Sequence, residues 1–220
     1  MVDLVSIHSM LIEMHGGMLT LAIVCILATL VSRAQLRIQK TNEKNGILSP
    51  TDSFMGKIAR YTEPTAYLAA IGGMIGLIAS AIVGIYAWPI NIITTSTLAL
   101  NHIMFAVFAL ELWIIFVIVR SKYGENLWKN SGMASVYACL GIFGFLFVVL
   151  SGSLGAHMAI KGSVLDPVYA LLGVNPVTFG VIGFDFVIVL VSVSVVAIIV
   201  PTAAVLFLQR RTKLKDSVKT

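Results

Sequence analysis

Charge is what this chain has least of. Only 11% of its 220 residues are charged, 58% are hydrophobic, and the mean hydropathy is +0.97. A soluble domain carries about a quarter charged residues, so the composition excludes one and points to an integral membrane protein. Cysteine is scarce too. Cys25 and Cys139 stand inside apolar runs, read as small buried hydrophobes, and form neither a CxxC pair nor a disulfide framework. Short segments of alternating polarity, the mark of a membrane β-barrel, are missing. So are a P-loop, a GxSxG elbow, a GxGxxG turn and an HExxH helix, which leaves no catalytic motif and no expectation of a catalytic subunit. No inverted repeat argues for a transporter. The first residues lack a basic n-region and a small-residue cleavage site, so the first apolar run is expected to be kept as a spanning helix.

Long apolar runs are what the chain does have. A helix crosses a hydrocarbon core in about 20 residues, and five runs reach that length: about Leu11–Ser32, Thr65–Ala87, Leu98–Val119, Met133–Ala159 and Gly180–Leu208. The expected fold is all-α: a single transmembrane domain over 1–220, a four-helix up-and-down bundle plus a fifth helix. It has polar segments at 33–63, 160–180 and 209–220. Every one of the 15 basic residues except Lys161 falls in the first of these, in the connection after the third run, or in the tail. By the positive-inside rule the N-terminus is outside, the C-terminus inside, and 160–180 is an outer loop, in a multi-pass protein of the cytoplasmic membrane. The net charge of +5 follows from that asymmetry, so nucleic acid is not an expected partner. Lipid is, through the basic tail.

Within the first polar segment, Ser49-Pro50 reads as an N-cap and first-turn pair. Phe54, Met55, Ile58 and Tyr61 then share one face of a short interfacial helix. The second spanning helix is expected to open at Pro64. It carries Gly72, Gly76, Ser80 and Gly84 at a spacing of four, and the fourth carries Gly141, Gly144, Gly152 and Gly155 near one face. Both ladders read as tracks for close helix packing in preference to a cofactor role. The outer loop has a short turn beginning at Asp166-Pro167. The fifth run carries Asp185 near its start and a kink at Pro201.

Histidine is the other rare residue, and its placement is uneven. His8, His15, His102 and His157 all fall toward the outer side of the expected topology, and five of the nine methionines lie within three residues of one of them. His8 and His15 are seven positions apart, hence within roughly 20° on one helix face. Gly16 and Gly17 leave room beside His15 for something flat or bulky. Glu111 lies nine residues below His102, about 13 Å deeper and on the opposite face of its helix. Intramembrane histidine is uncommon and usually functional. Paired histidines from different helices can take both axial positions of a b-type haem, non-covalent here because no CxxCH is present. In an up-and-down bundle the first and third spanning helices lie on a diagonal. His15 and His102 are therefore the expected axial pair, with His157 on a propionate or as a substitute ligand.

Taken together, His15-Gly16-Gly17, Asn101-His102 and Gly152-Ser153-Leu154-Gly155-Ala156-His157 resemble the corresponding elements of small four-helix b-type membrane cytochromes. They are similar, too, to a group of predicted haem-binding membrane proteins of bacteria and archaea. The resemblance spans about residues 8–160, leaves the fifth helix as an addition, and differs in lacking a His-Pro pair at the start of the first helix. It implies haem b and an electron-transfer subunit of a larger redox complex, with other membrane subunits and quinone as partners. Copper is the alternative cofactor, through His8, Met10, Met14, Met18 and His157, since thioethers and imidazoles suit Cu(I). A third reading is an accessory subunit with no chemistry, held to larger partners by its glycine ladders.

Overall fold

A computed structural model describes residues 3–44, 54–178, 183, 185 and 187–193. Among these residues the protein is helical throughout, with no strand. Four helices are long and apolar enough to cross a membrane. They are α1 (Leu4–Lys44), α2 (Phe54–Ala87), α4 (Thr97–Tyr123) and α5 (Ser131–Met158). A short α3 (Ile90–Thr95) lies between α2 and α4, a 3-10 turn (Gly124–Lys129) joins α4 to α5, and α6 (Asp166–Leu171) follows α5. The fifth run, with Pro201 and the basic tail, lies almost wholly outside the described residues, as does Ser49-Pro50. Residues 187–193 are helical, with Val187 buried.

The ends of these helices follow from local chemistry. Asp3 caps α1, its Oδ1 accepting from Ser6 N at 2.6 Å. The helix therefore starts at Leu4, earlier than the apolar run alone predicts, and takes His8 into regular structure. Ser96 caps α4, and Asn130 caps α5 by accepting from Gly132 N at 2.9 Å. Gly124, at a φ of 54°, supplies the left-handed residue that ends α4.

Two departures from the sequence reading concern the segment 33–63. It is not a polar loop with a separate interfacial helix: α1 runs on to Lys44, and 54–63 form the first turns of α2. Packing explains this. Thr29 and Thr62 hydroxyls bond at 2.7 Å, Ser32 Oγ reaches Met55 Sδ at 3.8 Å, and Ala59 and Glu63 are buried. Pro64 sits within α2 instead of opening it. Thr62 and Thr65 hydroxyls bond the Ile58 and Tyr61 carbonyls on either side of the interrupted ladder, the way hydroxyl side chains accommodate proline in spanning helices. A third departure is Cys139, which lies on the outer surface of the bundle; Cys25 is buried as expected.

α1 packs antiparallel along α2, and α4 along α5. The two hairpins meet through α1 against α5 and α2 against α4, so α1 and α4 stand across a diagonal. The glycine ladders are the tracks of closest approach: Gly72 faces Met18, Gly73 faces Leu19, Gly76 faces His15, Gly141 faces Ile26 and Gly144 faces Trp113. The centre is an aromatic stack, with Phe116 and Tyr137 ring centroids 4.0 Å apart and Trp113 edge-on to Phe116.

One end of the bundle is pinned by charge. Arg120 clasps buried Glu63 through two parallel hydrogen bonds, Nε to Oε1 and Nη2 to Oε2, the second at 2.7 Å. Arg33 stacks its guanidinium 4.8 Å over Trp128. Removing one partner of a buried, bidentate pair strands the other, a loss of roughly 3 kcal/mol or more. Glu63→Gln should therefore lower the thermal midpoint of the detergent-solubilised protein by several degrees. Arg120→Lys, which keeps the charge but not the fork, should also lower it; an unchanged midpoint for both would contradict the clamp.

Candidate functional site at the histidine end

The opposite end, where α1 and α4 begin and α2 and α5 finish, holds all four histidines. Each ring is placed by the helix facing it. His8 Nδ1 lies 2.8 Å from the Ser80 carbonyl. Its ring occupies the space a side chain at residue 84 would fill: a Cβ on Gly84 would stand 2.8 Å from His8 Cε1. His102 Nδ1 lies 2.8 Å from the Ser151 carbonyl, and its ring sits over Gly155, where a Cβ would be 3.2 Å from Cε1. Ser151 Oγ donates back to the His102 carbonyl at 3.1 Å, which closes a two-way link between α4 and α5.

A carbonyl oxygen only accepts, so Nδ1 is the donor in both bonds and the neutral ring carries its lone pair on Nε2. That is the tautomer of a ligating histidine, whose second nitrogen donates to a carbonyl or carboxylate and so fixes the ring's orientation.

His15 is placed differently. It is buried, 7% exposed, with its Cβ against the position a Gly76 side chain would take. Its Nδ1 has no aligned hydrogen-bond partner. His8, His15 and His102 are all within electrostatic reach of one another, from the two helices on the diagonal. His157 is not part of this group. It turns toward the connection after α5, with Nε2 3.0 Å from Asp166 Oδ1 but out of hydrogen-bond alignment, and with Tyr169 alongside. Glu111 is half-buried and makes no hydrogen bond or ion pair among the described residues.

The methionine stripe has a packing role. Met18 Sδ and the Met14 methyl group lie over Gly72 and Gly76, while Met10, 62% exposed, faces outward. A Cβ on Gly16 or Gly17 would meet nothing within 4 Å among the described residues: these glycines lie toward the outer face of α1, away from the α2 track on which His15 packs. No group of three or more His, Cys, Asp or Glu able to hold a metal ion occurs among the described residues. Sequence reasoning grouped His8 with His15 correctly but missed the seats: Ser80, Gly84 and Gly155 are read as ladder positions, and Ser151 is not singled out, until the rings are seen lying there. It missed the Glu63–Arg120 clamp as well, because Glu63 lies next to a proline in what reads as a loop.

A family model described as predicted membrane protein (DUF2231) matches residues 4–166. No curated protein and no solved structure matches the chain.

The seats yield a controlled comparison. Gly155→Leu should displace the His102 ring and lower the thermal midpoint. Gly152→Leu, one turn away where a Cβ meets nothing within 4 Å, should leave it within experimental error. Equal effects would mean that the ring's seat has no special weight.

Proposed function

The chain belongs to the DUF2231 family of predicted membrane proteins, and from that premise we propose that it is a b-type haem-binding electron-transfer subunit of a larger membrane redox complex. The observation that carries this reading is the pairing across the diagonal. His102 of α4 presents an oriented Nε2, and α1 brings two imidazoles, His8 and His15, to the same end of the bundle.

The count of donors favours haem over a compact ion. A bare metal ion needs three or four protein ligands in one place, and no such group of His, Cys, Asp or Glu is assembled among the described residues. Haem brings four nitrogens of its own and asks the protein for two. The two imidazoles anchored through Nδ1, His8 and His102, come from the two helices across the diagonal, which fits a group that asks the protein for two ligands better than a compact ion. The thioethers that a copper site would call on are spread over the α2 ladder and the outer surface.

When bound, haem supplies a one-electron couple. This chain's residues would hold it: His102 and an imidazole of α1 would supply the two protein ligands, the helix carbonyls fix the imidazole tautomer, and close helix packing would exclude water. With the basic residues inside, this end faces the outer side of the cytoplasmic membrane, a place suited to exchange with quinone or an external redox partner.

An absorbance spectrum of the detergent-solubilised protein, oxidised and then reduced with dithionite, tests the reading. A Soret band with sharp α and β bands on reduction is expected, and its loss or conversion to a high-spin form in His102→Ala. A featureless visible spectrum, with haem supplied during expression, would overturn it and leave a packing role for the histidines.

A further inference from the structure

The two hairpins are copies of one another in register. A single shift in numbering carries His8 of α1 onto His102 of α4 and Leu19 onto Trp113. Another carries Ser80, Gly84 and Gly73 of α2 onto Ser151, Gly155 and Gly144 of α5. The contacts follow the same shifts. His8 bonds the Ser80 carbonyl and lies over Gly84, as His102 bonds the Ser151 carbonyl and lies over Gly155; Leu19 covers Gly73, as Trp113 covers Gly144. Burial agrees: Ala22 and Phe116 correspond and are both fully buried, as do the buried pairs Ala66 with Tyr137 and Ala70 with Gly141.

The packing between hairpins has the same symmetry, α1 against α5 and α2 against α4. Two helical hairpins that run in the same direction and exchange partners this way are related by a two-fold axis along the bundle, a parallel repeat.

From this repeat we infer that the ligand site lies on the pseudo-two-fold axis, with His8 and His102 as its matched pair of ligands. The inference rests on the haem reading and refines it, because the sequence pairs His102 with His15. Three facts favour His8. It occupies the position equivalent to His102. Its Nδ1 is tied to a carbonyl of the facing helix at the same 2.8 Å, leaving the same nitrogen free. His15 has neither property, and its equivalent on α4 is Ala109, which can ligate nothing. His15 is then a buried neighbour one layer deeper, packed on Gly76. Two imidazoles tethered alike, one from each hairpin, suit a group that asks the protein for two equivalent nitrogen ligands, as an iron porphyrin would.

The test compares three single variants of the full-length protein by absorbance and low-temperature electron paramagnetic resonance. His8→Ala and His102→Ala should each convert a low-spin spectrum to a high-spin one, and millimolar free imidazole should restore the low-spin form. His15→Ala should stay low-spin. Gly84→Leu, which keeps every histidine but fills the His8 seat, should repeat the His8→Ala change even if that variant folds poorly. A low-spin His8→Ala together with a high-spin His15→Ala would overturn the matched pair and leave the haem reading standing. A wild-type protein with no Soret band would remove both, and that result is visible before any variant is made.

Discussion

The distance between helix backbones at the glycine ladders governs the rest of this structure. Where Gly84 and Gly155 leave out a side chain, an imidazole from the opposite helix lies against the backbone and reaches a carbonyl one turn earlier. With any larger residue there, the ring would be held off and its N–H stranded in an apolar surrounding, which costs several kcal/mol in hydrocarbon. The same close approach seats Leu19 on Gly73 and Trp113 on Gly144. Small residues on one helix of each hairpin and large ones on the other are two halves of one packing solution.

The bundle is thereby divided along its length. At one end, imidazoles bridge α1 to α2 and α4 to α5. At the other, the Glu63–Arg120 pair ties α2 to α4, and Arg33 covers Trp128 at the turn before α5. Between them the Trp113, Phe116 and Tyr137 stack fills the centre without a polar link. The imidazole bridges act within each hairpin, whereas the Glu63–Arg120 pair acts between them. Disturbing the imidazoles is therefore compatible with an intact bundle, as the proposed ligand role of these rings requires.

Much of this could be read from the chain. Four apolar helices and their order follow from runs of twenty or more apolar residues, and the packing role of Gly72, Gly76, Gly141 and Gly144 follows from their spacing. The common face of His8 and His15 follows from the helical period. Other features were hidden for physical reasons. Glu63 and Arg120 are far apart in sequence and next to segments of loop-like composition, so nothing local announces their pairing. Helix α2 runs through Pro64 because flanking threonines bond the carbonyls around it, a tertiary and side-chain effect that the breaker rule does not contain. The repeat is faint in residue identity, since His8, Gly73, Ser80 and Gly84 recur but Leu19 matches Trp113 and Ala66 matches Tyr137; matched contacts make it plain. Cys139 reads as buried because a membrane protein is apolar outside as well as in.

An axis of pseudo-symmetry passes through a bundle once at the histidine end, and a ligand held on it by one imidazole from each hairpin is a single ligand. The most direct measurement is the haem content of the purified wild-type protein, by conversion to the pyridine haemochrome against a protein concentration from amino-acid analysis. One non-covalently held haem b per chain is the expected result. No haem, or a ratio fixed at one haem to two chains, would contradict a site built by the two hairpins of a single chain.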